Sequence, residues 1–197
     1  ILNNTRPLVF YLFLFLLTSQ LTFAQSTLVV PDDRPTIQEA IDDSEDGDTV
    51  FVRNGTYDLS TTADNDGANT SCEPPTQYGG IYFKGKNISV IGESKEGVIL
   101  DGSGLWNEHM VYFNDYNDEL PTSNASLQNF TLKNIDQSTC GRAAIAFSGA
   151  TGIIDNLIIE DNNSSGSGSA LWVGNSSNVM ISNCLIRNND SGNSGGA

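Results

Sequence analysis

Three segments of this 197-residue chain, Asn129-Phe-Thr-Leu-Lys-Asn-Ile135, Asn156-Leu-Ile-Ile-Glu-Asp-Asn162 and Asn183-Cys-Leu-Ile-Arg-Asn-Asn189, are copies of one pattern spaced 27 residues apart. A fixed period of that length marks a chain that folds by stacking copies of one supersecondary unit. A second unit recurs as Gly80-Ile-Tyr-Phe83, Met110-Val-Tyr-Phe113, Ala144-Ile-Ala-Phe147 and Ala170-Leu-Trp-Val173, and a third as Asn87-Ile-Ser-Val90 and Asn178-Val-Met-Ile181. These are short strand patterns bounded by Gly, Asn and Ser turns. One period has no means of burying its own apolar face. Coils stacked as parallel strands ~4.8 Å apart bury it as one continuous core.

Stacking places Asn129, Asn156 and Asn183 in one column, and Asn134, Asp161 and Asn188 in another. Asn tolerates left-handed backbone at a turn, and its amide can bond to the amides above and below. Lys133, Glu160 and Arg187 make a third column of alternating sign, read as a solvated face. In the central copy Ile158 is expected to point inward. In the second unit the inward pairs are Ile81/Phe83, Val111/Phe113, Ile145/Phe147 and Leu171/Val173, which turns Tyr82, Tyr112, Ala146 and Trp172 outward.

The ends differ from the repeat. Arg6, the apolar run Leu8 to Leu17 and Thr22-Phe-Ala24 have the order of a secretory signal, so residues 1–24 are expected to be a leader. Ten apolar residues are about half of the ~20 a membrane span needs, so no stable membrane insertion is expected. Pro35-Thr36-Ile-Gln-Glu39 carries a capping box, and Ile37, Ala40 and Ile41 form one apolar stripe. A short helix there would cover the open end of the stack. Ser194-Gly-Gly-Ala197 aligns with Ser167-Gly-Ser-Ala170, so residues 25–197 are expected to be the amino-terminal part of a longer domain, truncated at its C-terminal end.

Pro35-Thr-Ile-Gln-Glu-Ala-Ile41, Gly47-Asp-Thr-Val-Phe-Val52, Asn54-Gly-Thr-Tyr57, Ile88-Ser-Val-Ile-Gly92 and Val98-Ile-Leu-Asp-Gly102 resemble the first turns of pectin-lyase-like proteins. The resemblance extends over nearly everything after Thr27. It implies an all-β fold, a right-handed parallel β-helix (solenoid) with a short amino-terminal capping α-helix. It also implies a secreted, carbohydrate-active protein, a polysaccharide lyase or a glycoside hydrolase. The Asn-Thr-Asp, Asp-Asp and His-Gly constellation of polygalacturonases is absent, as is the Gln-Asp-Thr-Leu motif of pectin esterases. The alternative is a non-catalytic surface or polysaccharide-binding module, since fold alone does not name function.

Chemistry is read from geometry. Tyr82, Tyr112 and Trp172 on one outer face are expected to form a platform for sugar rings, with Lys84 and Arg142 beside it to meet acidic groups. Long insertions, Asp58 to Gly79 and Asn114 to Ser126, flank that face. His109 is a candidate acid–base group and Lys84 or Arg142 a candidate base for elimination, with surface solvation the simpler role. No cofactor is marked by a motif; Asp115, Asp118 and Glu119, or Asp64 and Asp66, could offer oxygen ligands to Ca²⁺ without the spacing of a defined loop. Nine Lys and Arg against 24 Asp and Glu, a net charge of −15, exclude a phosphate-tracking stripe and hence nucleic acid as partner. The expected partner is an extracellular polysaccharide, met by a monomer outside the cell or at its surface. Cys72 and Cys140 could pair in an oxidising compartment, leaving Cys184 as a small hydrophobe.

Overall fold

A computed structural model describes residues 24–59, 80–105, 108–114, 119–137, 141–193 and 195. The signal-like segment up to Phe23, Cys72 and Cys140 lie outside the described residues. Strand β1 (Thr27–Val30) and helix α1 (Ile37–Asp43) open the fold, and five coils follow. The first holds β2 (Thr49–Val52), β3 (Gly55–Asp58) and β4 (Ile81–Tyr82); the second β5 (Ser89–Gly92), β6 (Val98–Asp101) and β7 (Val111–Tyr112). The third holds β8 (Ala125–Gln128), β9 (Thr131–Lys133), β10 (Asp136–Gln137) and β11 (Ile145–Ser148). The fourth repeats this as β12 (Thr151–Asp155), β13 (Ile158–Glu160), β14 (Asn163–Ser164) and β15 (Leu171–Gly174). The last holds β16 (Asn178–Ser182), β17 (Leu185–Arg187) and β18 (Asp190–Ser191).

Like strands of successive coils pair into four sheets, β1-β2-β5-β8-β12-β16, β3-β6-β9-β13-β17, β4-β7-β11-β15 and the short β10-β14-β18. Every pair is parallel. This is a right-handed parallel β-helix with, among the described residues, one short helix. Inside it Phe83, Phe113 and Phe147 stack with centroids 4.4 and 4.1 Å apart. Gly152 sits against this stack: a Cβ there would stand 2.7 Å from a Phe113 ring carbon and 2.8 Å from one of Phe147. Only glycine lets the strand approach the rings so closely.

Both expected turn columns take left-handed backbone, with φ of 63°, 54° and 53° at Asn129, Asn156 and Asn183, and 64°, 56° and 54° at Asn134, Asp161 and Asn188. The Asn156 amide donates to Asn129 Oδ1 at 2.9 Å, whereas Asn183 donates to Asp155. A second ladder, which the sequence reading missed, runs through the interior. Buried Asn162 donates to Asn189 Oδ1 at 2.9 Å and to the Leu132 carbonyl at 3.2 Å.

One inward assignment is corrected. Ile158 pairs with Thr131 and Leu185 on the outer side, while Ile159, fully buried, pairs with Leu132 and Ile186 inside. The run Leu157-Ile-Ile159 has no alternation to read. The charge column decides it: Glu160 faces Lys133 and Arg187 outside, with Arg187 2.6 Å from Glu160. Period two then puts Ile158 outside as well.

The helix closes the amino-terminal end. Thr36 Oγ1 accepts the Glu39 N–H at 3.2 Å, and Ile37, Ala40 and Ile41 are buried. Gln38 acts as a substitute strand for the edge of β4: its Oε1 accepts the Tyr82 N–H at 2.7 Å and its Nε2 donates to the Tyr82 carbonyl at 3.1 Å. Lys86 Nζ binds the last carbonyls, Ile41, Asp42 and Ser44, within 2.8 Å. Below the helix, the N–H groups of Glu45 and Ser26 hold the Asp48 carboxyl beneath its ordinary pKa. Among the described residues no helix is long and apolar enough to cross a membrane.

Candidate functional site

The outer face of the sheet β4-β7-β11-β15 carries one residue per rung in strict register: Tyr82 against Tyr112, Tyr112 against Ala146, Ala146 against Trp172. That column matches the alternation in the sequence. Its exposure differs from expectation. Tyr82 and Tyr112 are only 6% and 8% exposed, and their rings meet edge to face at 6.1 Å. With Ala146 they form a small satellite core, against which half-buried Trp172 packs. Two rings one rung apart cover each other. Of the three aromatics expected to lie open, only Trp172 keeps appreciable surface.

The flanking cations are placed by their own partners. Lys84 leaves β4 with φ at 51° and reaches Asp42 of α1, Nζ to Oδ1 2.8 Å. Arg142, three residues before β11, acts electrostatically on His109 and is engaged within the protein. Glu108, the chain neighbour of His109, is buried and accepts the Gly80 N–H at 2.8 Å, tying β4 to the next coil. His109 sits 5.2 Å from the Tyr112 ring. Burial first, and then the Arg142 charge, push its pKa down to about 3, so the imidazole is neutral in the folded protein. Its Nδ1 is 3.0 Å from the Ala143 nitrogen and 3.1 Å from the Ala143 oxygen. Accepting from the N–H satisfies the group that is costlier to leave unpaired, which puts the proton on Nε2. A group held neutral so far below pH 7 is a poor general acid there.

Outward positions of these strands, Tyr82, Tyr112, Ala146, Ser148, Trp172 and Gly174, include no carboxylate. A cavity of about 400 Å³ opens three strands away from β15, between α1 and the chain at Tyr57 to Leu59, with Gly80 and Ile81 on its wall.

The sequence profile of glycosyl hydrolases family 28 matches residues 35–194, from the cap through the last coil. The chain belongs to that family. No curated protein and no solved structure matches it. Family 28 is pectin-degrading and built on the parallel β-helix, so fold and family agree. The match makes this a polysaccharide-degrading hydrolase domain and favours hydrolysis over β-elimination. Glycosidic hydrolysis employs two carboxyl groups, about 5–5.5 Å apart for retention or about 6.5–9.5 Å for inversion. The described strands of this family 28 chain present no such pair on the aromatic face.

Among the described residues no three His, Cys, Asp or Glu side chains gather to hold a metal. Asp64, Asp66, Asp115 and Asp118 lie outside the described residues. Cys184 packs its free thiol against the core, and burial pushes its pKa up. That is the chemistry of a small hydrophobe, not of a nucleophile.

Proposed function

We propose that this chain belongs to a secreted glycoside hydrolase acting on an extracellular polysaccharide, and that these coils supply binding surface. The observation that carries the reading is the family match across residues 35–194, over coils whose strands stay in parallel register throughout. Secretion is supported by the order of charge, apolar run and small residues up to Ala24. On the aromatic face Trp172 contacts the sugar, Tyr112 and Tyr82 continue the face two and three rungs along the sheet, and Lys84 and Arg142 line the sides. The partner is the polysaccharide; the protein acts outside the cell as a monomer, with no nucleic acid, membrane insertion or cofactor, and Ca²⁺ is kept as a test condition.

The test is a panel of pectin, alginate, xylan and mannan incubated with the protein, with and without chelator. Hydrolysis yields reducing ends without the unsaturated, ultraviolet-absorbing ends that elimination leaves. Unsaturated ends would replace the hydrolase by a lyase. A second reading, a surface or binding module, is favoured by the lack of any carboxylate in the outward column; it expects glycan binding with no new ends of either kind.

A further inference from the structure

Trp172 and Gly174 are both outward on β15, two residues apart on one strand. A Cβ built on Gly174 would stand 2.4 Å from Cη2, 2.5 Å from Cζ2 and 3.1 Å from Cζ3 of Trp172. Such closeness to three ring atoms places that point over the face of the six-membered ring, since a point in the ring plane beyond the Cη2–Cζ2 edge would lie much further from Cζ3. The indole is therefore folded down along its own strand, one face on the glycine. Gly174 has no positive φ to explain it, unlike Gly149 and Gly168 on neighbouring turns. What it provides is the missing side chain. On the rung before, Ala146 places only a methyl group beside the indole, where Tyr112 places a whole ring against Tyr82. A flat aromatic face with one side backed is suited to the C–H face of a pyranose ring.

The electrostatics narrow the sugar. None of the outward side chains of β4, β7, β11 and β15 is ionised. Several of the described cations are committed elsewhere: Lys84 to Asp42 at 2.8 Å, Arg53 to Asp32 at 2.7 Å, Arg187 to Glu160 at 2.6 Å, Arg34 to Asp43, and Lys86 to three carbonyls. Arg142 is engaged as well. Around the face, a protein of net charge −15 repels polyanions at long range. We propose that this face is a subsite for an uncharged pyranose, a neutral or esterified sugar unit rather than a free uronate, stacked on Trp172, with Gly174 as the positioning residue. The inference rests on the proposal that the chain binds polysaccharide on this sheet, and it assigns the kind of unit bound there.

The experiment titrates the full chain, followed by tryptophan emission and calorimetry, with xylotetraose, mannotetraose, methyl-esterified oligogalacturonate and the same oligogalacturonate de-esterified. At least one uncharged or esterified chain should bind, and the de-esterified one should bind about tenfold more weakly, with the gap narrowing as salt rises. Trp172→Ala should lose about fivefold in affinity together with the emission change, leaving the Trp106 signal. Gly174→Ala keeps the indole but tilts it off the strand, so affinity should fall in the same direction while the melting temperature stays near that of the parent. Trp172→Phe should recover part of the loss, and it serves as the readout if Trp172→Ala fails to fold. Equal or tighter binding of the de-esterified chain overturns the inference, as does unchanged affinity in both the Trp172 and Gly174 variants. Should the parent release reducing ends from pectin under either of those outcomes, the hydrolase reading stands and only the subsite falls. If no glycan is bound or cut, both fall.

Discussion

The register of the central coil can be tested by one matched pair, Ile158→Ala and Ile159→Ala. These neighbours have the same chemistry and lie on one three-residue strand, so propensity and unfolded-state effects nearly cancel between them. Ile159 is fully buried, between Leu132 of the coil before and Ile186 of the coil after. Truncating it removes three buried carbons and leaves a cavity between two rungs that the hydrogen-bonded ladder prevents from closing. Such losses cost about 2–5 kcal/mol. Ile158 stands outside between Thr131 and Leu185 and is half-buried, so the same truncation should cost under about 1 kcal/mol. Urea unfolding followed by circular dichroism measures both, provided the slope with denaturant is unchanged from the parent. The midpoint should fall sharply for Ile159→Ala and hardly at all for Ile158→Ala. Equal losses, or the larger loss at Ile158, would refute the register, and with it the direction assigned to Glu160, Lys133 and Arg187.

Two further outcomes follow from the cap and from the half-buried histidine. His109 is neutral in the fold with a pKa of about 3, whereas an unfolded histidine titrates near its ordinary ~6.5. Its contribution is complete above pH ~6.5 and is lost as pH falls towards 3; because part of the ring reaches the surface, about 1–2 kcal/mol should be gone by pH 5, and His109→Gln should flatten that part of the stability–pH curve. An unchanged slope in the variant would place the ring in water. Gln38→Ala removes both side-chain bonds to the Tyr82 backbone, which should cost about 1–3 kcal/mol and speed amide exchange at Tyr82 well before exchange at Val90 in the neighbouring sheet; equal protection in parent and variant would show that the clamp does not hold that edge.

Much of this architecture is legible in the residues, because a stack of identical coils repeats its constraints until they stand out. Asn129, Asn156 and Asn183 are spaced by one coil and share one backbone angle, so periodicity alone places them. The capping box at Thr36 is local and equally readable. What failed depended on contacts between units. Leu157-Ile-Ile159 offers no alternation, and only the charge column two residues on reveals which isoleucine faces out. Tyr82 and Tyr112 are outward, as alternation requires, yet buried, because alternation gives a direction and says nothing of what else packs on that side. Asn162 carries no such mark, because its column begins with Ile135 in the coil before and holds no run of three amides. Glu108 and Gly80, 28 residues apart, belong to different coils, and no short-range pattern joins them.

The geometry of the stack also explains why the described face has one open ring where the sequence has three. Rungs rise by ~4.8 Å, close to the centroid distances of the inner phenylalanines, so large side chains on successive rungs touch whichever way they point. Inside, that closeness is what the core needs: Phe83, Phe113 and Phe147 form a continuous column. Outside, the same closeness turns Tyr82 and Tyr112 into a pair that buries itself. An aromatic remains open to a ligand on such a sheet only where the rung beside it and the position two along its strand are both small. Among the described residues, Ala146 on the rung before Trp172 and Gly174 on its own strand meet those two conditions. A sugar-binding face on a parallel β-helix is therefore specified as much by its small residues as by its rings. In this chain substitutions at Ala146 or Gly174 should alter the face more than substitutions at Tyr82.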